Sequence, residues 1–132
     1  MRTLPTLAAL ACFLPAAAPA ANLVVPMPEI PEIGEEVARY QCDGDPTKIG
    51  LPGPIFPVTY LNAGDNHLAV LTIRGAHLVF VGVGYGANSR YVTGRYTWWE
   101  EPGRRTFLAA NLPTDLGGTQ SILCHRLSAQ AG

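Results

Sequence analysis

The chain is poor in charge, in cysteine and in helical pattern, and each shortage excludes a class of protein. Only 14% of its 132 residues are charged, with nine Lys and Arg against ten Asp and Glu. Because it has no surplus of basic residues, it lacks the electrostatic footprint of a nucleic-acid-binding protein. No segment shows the apolar period of a helix. The length leaves room for one domain, and we expect that domain to be all-β.

The first 21 residues form a segment of their own. Residues 1–3 carry one positive charge, residues 4–15 are an apolar run, and Ala18-Pro19-Ala20 gives the A-x-A pattern of a cleavage site. The apolar run is too short to span a membrane. Residues 1–21 are therefore predicted to be a secretory signal peptide, and the protein is expected to be exported.

Cys12 lies inside this predicted signal peptide and leaves a second interpretation open. In a lipoprotein the cysteine would be acylated after cleavage and would anchor the protein in a membrane. The preceding residues, Ala9-Leu10-Ala11, do not place leucine three positions before the cysteine, as lipoprotein signals usually do. We therefore favour an apolar cysteine in a discarded segment, and expect membrane association only if Cys12 is lipidated.

Two cysteines remain in the exported part, Cys42 and Cys124. An isolated pair in an exported protein is most simply one disulfide, which here would tie the first predicted strand to the last. Neither cysteine has a partner at C-x-x-C spacing, so a zinc site is not expected.

The exported chain is predicted to contain a Pro-rich linker over residues 22–35 and a domain over residues 36–128. Pro26, Pro28 and Pro31 exclude a helix or a central strand from the linker, although a segment lying across the edge of the domain remains possible. Beyond it, β-branched and aromatic runs separated by turn residues predict eight strands. These strands are 37–42, 56–61, 67–73, 78–83, 90–92, 95–99, 105–109 and 121–127.

Short strands at this spacing indicate an all-β sandwich or barrel. A closed antiparallel barrel would remove the exposed edges that so many short strands otherwise present. Pro57, within the second predicted strand, is expected at a strand start or an edge.

No arrangement of residues predicts catalysis, a metal site or a cofactor, and the protein is not expected to be an enzyme. The glycine-rich segment 82–86 is followed by a loop and a strand, whereas a phosphate-binding glycine motif must open a helix. His67, His77 and His125 are far apart and have no ligand spacing. Glu100 and Glu101 are expected to be solvated in a turn.

Two segments are better candidates for binding. Residues 84–90 form a loop of glycine and small polar residues between strands, and residues 100–105 place two acids beside two arginines. Loops held by a rigid scaffold often carry contacts to partners. One hairpin connects the two segments, so a barrel could bring them to the same end.

Several segments together, in order and spacing, resemble the bacterial inhibitors of C-type (animal-type) lysozyme, the MliC/PliC family. The matching segments are YQCDG (40–44), VTYLNAGDNHLAVL (58–71), LVFV (78–81), Arg90-Tyr91, Trp98-Trp99 and Cys124. The resemblance implies an eight-stranded antiparallel barrel with a Cys42–Cys124 disulfide. It also implies a location in the periplasm or on a lipid anchor, and a C-type lysozyme whose active-site cleft the protein blocks.

In that family a serine from an S-G-S-G-A-(K/R)-Y loop and a lysine from a following W-T-K-G turn meet the catalytic carboxylates of lysozyme. Such charge-assisted contacts are strong. In this chain Tyr85 and Ala87 occupy the serine positions and Glu101 the lysine position, where a glutamate would repel carboxylates.

We therefore expect weak inhibition, or inhibition through Tyr85, Ser89, Arg90 and Arg104 in place of the usual pair. The alternative is a barrel of the same fold that binds another envelope protein or a glycan. The residues expected to bind lysozyme, by position or by substitution, are Tyr85, Gly86, Ala87, Ser89, Arg90, Tyr91, Glu101, Arg104 and Arg105.

Overall fold

A computed structural model of the chain describes residues 12–14, 19–84, 89–103 and 105–128. They form the expected closed antiparallel barrel, in which each strand pairs with the next and the eighth pairs with the first. The strands are β1 (Gly34–Cys42), β2 (Ile55–Ala63), β3 (Asn66–Ile73), β4 (Ala76–Val83), β5 (Ser89–Thr93), β6 (Tyr96–Glu101), β7 (Arg105–Asn111) and β8 (Thr119–Arg126).

Strand pairing extends every strand by one to three residues beyond a predicted bound, and two of the extensions enter segments that the sequence assigned to a linker or a turn. β1 begins at Gly34, inside the predicted linker, because residues 34–36 pair with residues 60–62 of β2. β6 runs on to Glu101, which was predicted to lie in a turn, because its last two residues pair with Arg105 and Thr106 of β7. Closure of the barrel therefore overrides the local turn pattern at both places.

The position of Pro57 agrees with its missing backbone N–H. It lies near the start of β2, opposite Arg39 of β1. The pairing of β2 with β3 begins only at Thr59, so one side of the strand has no neighbour at Pro57. The expected edge-like position is therefore confirmed within a closed barrel.

The core lies inside the barrel and is built from the inward-facing side chains of all eight strands. Trp98 is its centre: the Tyr40 ring packs against it edge-on with ring centroids 4.9 Å apart, and Phe56 lies at 6.1 Å. The largest fully buried side chains are Trp98, Tyr40, Phe56, Phe80, Leu71, Ile73, Leu108, Val58 and Cys124.

The predicted disulfide is present. Cys42, the last residue of β1, is bonded to Cys124 of β8, and the two are direct partners across the strand pair. Cys12 is free and exposed. Most of residues 1–18 lie outside the described part of the chain, so the signal peptide remains a prediction. In the described ranges no helix has both the length and the apolar character needed to cross a membrane.

Part of the Pro-rich segment ahead of β1 also packs on the barrel. Ile30 is half-buried and lies against the β2–β3 turn, where a Cβ atom on Gly64 would come within 3.3 Å of its Cδ1. The division between linker and domain at residue 36 remains a prediction, but at least this residue of the predicted linker packs on the domain.

The two ends of the barrel differ. The start of β1, the β2–β3 turn, the end of β4, the start of β5, the end of β6 and the start of β7 lie at one end, which we name the mouth. The opposite end, named the far end, is covered by the segment between β1 and β2, which lies outside the predicted strands. That segment contains a 3₁₀ helix, Pro46–Ile49, and buries Ile49 and Leu51, each 2% exposed. The backbone N–H of Arg74 donates to Gly50 O at 2.7 Å and fixes the segment to the β3–β4 turn.

Candidate functional site

The mouth contains the strand ends that flank the two candidate binding segments. β4 ends at Val83 and β5 begins at Ser89, while β6 ends at Glu101 and β7 begins at Arg105. Across the strand pairs, Ser89 lies opposite Glu100 and Glu101 lies opposite Arg105. Of the predicted contact residues, Tyr85, Gly86, Ala87 and Arg104 lie outside the residues that the structure describes.

Tyr91 faces the interior of the barrel. It is 9% exposed, and its ring centroid lies 5.6 Å from that of Tyr60. Burial raises the pKa of its hydroxyl, and the nearby negative charge of Glu100 raises it further. Tyr91 therefore supports the site from inside, and Ser89, two residues earlier in β5, is exposed.

Arg90 and Arg105 stand on the outer wall beside the mouth. The guanidinium carbon of Arg90 lies 6.0 Å from the centroid of the Trp99 ring, and that of Arg105 lies 5.5 Å from the Phe107 ring. A guanidinium over an aromatic face is held by a cation–π attraction. Both arginines are thus exposed cations with a preferred orientation, and the Trp99 ring beneath Arg90 is itself 40% exposed.

Glu101, at the family's lysine position, is half-buried at the end of β6. Its partner across the strand pair is Arg105. The acid is therefore placed next to a cation, which offsets part of the repulsion that the glutamate would exert on a carboxylate of a partner.

The prediction that Glu100 is solvated in a turn is wrong. Its carboxylate reaches into the barrel, where Oε1 accepts a hydrogen bond from Tyr40 Oη at 2.9 Å and a second, shorter one from Tyr60 Oη. Trp98 Nε1–H donates to the Tyr60 oxygen at 2.9 Å. The signal that could have revealed this is position: Glu100 lies two residues after Trp98, so both side chains share one face of β6.

The phenol groups in this network are donors. Their two oxygens lie 2.8 Å apart, and each carries one hydrogen. Burial raises the pKa of both Tyr40 and Tyr60, and the negative charge of Glu100 raises it further. Both hydroxyls therefore remain protonated at physiological pH and can hydrogen-bond the carboxylate.

Other polar pairs complete the mouth. Arg126 forms an ion pair with Glu36 at the start of β1. His67 Nδ1 lies 2.7 Å from Asn62 Oδ1 across the β2–β3 pair. The mouth is consequently lined with fixed charges and hydrogen-bonding groups, a surface suited to another protein.

The described residues include no group of three or more His, Cys, Asp or Glu side chains arranged to hold a metal ion. The histidines have separate partners: Asn62 for His67, Thr72 for His77 and Asp43 for His125. The arrangement at the mouth supports binding, by charge and by hydrogen bond.

One sequence comparison points to a bacterial inhibitor. Over 61 residues the chain is 44% identical to the membrane-bound lysozyme inhibitor of C-type lysozyme from Pseudomonas aeruginosa. The match covers 46% of this chain and 42% of that protein, so the chain spans less than half the length of this relative. No protein-family model matches the chain.

A solved structure extends the likeness to the whole barrel. The chain is similar to P. aeruginosa MliC in its crystal structure in complex with hen egg white lysozyme, with a TM-score of 0.59 and 27% identity. The superposition covers 84% of this chain and 99% of that one. The resemblance to bacterial C-type lysozyme inhibitors is therefore confirmed in sequence and in fold.

Proposed function

We propose that this protein is an exported inhibitor of C-type lysozyme that blocks the active-site cleft with the mouth of its barrel. The observation that carries the proposal is the match along almost the whole length of an inhibitor solved with lysozyme. Its support in this chain is the mouth itself, which contains the ends of β4 and β6 and the starts of β5 and β7. These strand ends flank the two segments that correspond to the family's contact segments.

The contact needs a cation and a hydroxyl for the carboxylates in the lysozyme cleft. Glu101 cannot supply the cation, but Arg105 lies opposite it across the strand pair and is exposed. A guanidinium presents several N–H donors in a plane and can bind a carboxylate through two of them. We assign the cation to Arg105 and the hydroxyl to Ser89, with Arg90 as a second cation on the outer wall.

A lysis assay with the purified, disulfide-bonded protein and hen egg white lysozyme tests this function. We expect inhibition that Arg105→Ala weakens about tenfold, a loss in the range found for charged contacts. Arg95→Ala is the matched control, because Arg95 is an exposed arginine in the β5–β6 turn at the far end. Its inhibition should equal that of the native protein.

A folded native protein that inhibits neither hen lysozyme nor other C-type lysozymes would overturn the proposal. The variant Glu101→Lys then shows which role the glutamate has. If that variant inhibits where the native protein does not, the mouth has a different native partner, such as another envelope protein or a glycan. If it only strengthens existing inhibition, the glutamate weakens a contact that is already present.

Location is part of the proposal. We propose a periplasmic protein released by cleavage after residue 21, although the relative from P. aeruginosa is named as membrane-bound. The mass of the protein isolated from an expressing bacterium distinguishes the two cases. A chain that begins at Asn22 supports release, and an acylated chain that begins at Cys12 shows a lipid anchor instead.

A further inference from the structure

Glu100 is the point where both contact segments meet the core. In the barrel wall it lies between Ser89 of β5 and Thr106 of β7, and the next residue along β6 is Glu101. Any displacement of Glu100 would therefore move the start of β5 and the end of β6 together. These are the strand ends that present the proposed hydroxyl and the proposed cation.

The carboxylate of Glu100 is held from across the barrel. Tyr40 of β1 and Tyr60 of β2 donate to the same oxygen, and these two residues are only 1% and 5% exposed. Tyr60 is fixed in turn by Trp98 Nε1–H. Residues of β1, β2 and β6 thus meet at one oxygen atom at the mouth, although they are 20 to 60 residues apart in the sequence.

We propose that Glu100 is a positioning residue for the lysozyme contact, which it serves by tying the mouth ends of β5 and β6 to the two buried tyrosines. This inference rests on the proposed function. Its physical basis is preorganisation, because a contact group that is already held in place loses less freedom when the partner binds. Glu100 itself touches the core, and Ser89 and Arg105 touch the partner.

A purely structural role would make the same hydrogen bonds, so the test must separate positioning from stability. Glu100→Leu removes the acceptor and leaves the two phenol groups without it. Glu100→Gln keeps a carbonyl oxygen in the same place, which can accept from both hydroxyls. Ile73→Ala is the stability control, because Ile73 is a buried residue at the far end, where β3 ends, and its side chain makes none of the hydrogen bonds to Glu100.

The affinity of the full-length variants for hen egg white lysozyme is the first measurement. We expect Glu100→Leu to weaken binding about tenfold, mainly through faster dissociation. Glu100→Gln should bind at least as tightly as the native protein, since it keeps the acceptor and removes a negative charge. Ile73→Ala should lower the melting temperature without changing the affinity of the folded protein.

Amide hydrogen exchange is the second measurement and needs no lysozyme. Exchange in peptides containing Ser89 and Glu101 should rise at least fivefold in Glu100→Leu and stay native-like in Glu100→Gln. Equal affinities for Glu100→Leu and Ile73→Ala would overturn the inference, as would a Glu100→Gln variant that binds as weakly as Glu100→Leu. If the native protein does not bind lysozyme while exchange changes as expected, the proposed function fails and the positioning of the mouth stands.

Discussion

The two ends of this barrel are closed by different chemistry. The far end is sealed by a folded apolar segment, with Ile49 and Leu51 inserted into the core and the backbone tied to the β3–β4 turn. The mouth is closed by polar side chains, in which Glu100 accepts hydrogen bonds from two buried tyrosines. Apolar burial stabilises the fold without specifying where charges lie, whereas the polar network fixes groups at a surface. We therefore expect changes away from the mouth to affect stability, and changes at the mouth to affect binding.

The largest loss of stability should follow removal of the disulfide, which joins Cys42, the last residue of β1, to Cys124 of β8. Cys42→Ala/Cys124→Ala opens a loop with a sequence separation of 82 residues. The chain-entropy model gives a decrease in the free energy of unfolding of about 4 kcal/mol for such a loop. Urea denaturation measures it, with Ser121→Ala, at an exposed residue of β8, as the control. A decrease below about 1 kcal/mol would mean that the barrel holds these strands together without the bond.

Leu51→Ala should have the next largest effect, since it removes a side chain that is only 2% exposed at the far end. Truncation of a buried leucine typically lowers the free energy of unfolding by about 3 kcal/mol. Leu116→Ala is the control because Leu116 is an exposed leucine in the second 3₁₀ helix, Thr114–Leu116. Lysozyme affinity of folded Leu51→Ala should remain native. A loss of affinity without a loss of stability would contradict the division between the two ends.

The far end and the mouth also differ in how much the sequence revealed. Strands could be predicted because each is a local run of β-branched and aromatic residues between turn residues. The far-end segment lies outside the predicted strands because its glycines and prolines dominate the pattern. The apolar pair Ile49 and Leu51 was the sign that this loop is buried.

The network at the mouth could not be predicted in the same way. Tyr40, Tyr60 and Glu100 come from three strands, separated by 20 to 60 residues in the chain, and no local spacing connects them. Only the closed barrel brings the three oxygens together. The outward placement of Arg90 and Arg105 likewise depends on the strand register. The same register places the aromatic side chains beside them, Trp99 and Phe107, on the outer face.

Tyr60→Phe should lower stability less than Leu51→Ala and lower lysozyme affinity more. The change removes the acceptor for Trp98 Nε1–H and one of the donors to Glu100. An unsatisfied buried donor costs about 2 kcal/mol. Thermal unfolding and lysozyme titration of the same samples measure both effects, and Tyr96→Phe, at a half-buried tyrosine near the far end, is the control. If Leu51→Ala weakened binding as much as Tyr60→Phe, the two ends would not be separable.

The smallest effect on stability is expected from the charge of Asp45, which caps the 3₁₀ helix Pro46–Ile49 at the far end. Asp45 accepts hydrogen bonds from the hydroxyl and the backbone N–H of Thr47, which lower the pKa of its carboxyl below the ordinary value of 3.8. A carboxyl whose pKa is lower in the folded state stabilises that state above its unfolded pKa, and the contribution disappears as pH falls through the folded pKa. Asp45→Asn should therefore lower the melting temperature slightly at pH 7 and leave it unchanged near pH 2. Asp65→Asn, at an exposed acid in the β2–β3 turn of the mouth, serves as the control in the same series. A difference in melting temperature between Asp45→Asn and the native protein that persists at pH 2 would show that the capping geometry, rather than the charge, stabilises the far end. The lysozyme affinity of Asp45→Asn at pH 7 should equal that of the native protein.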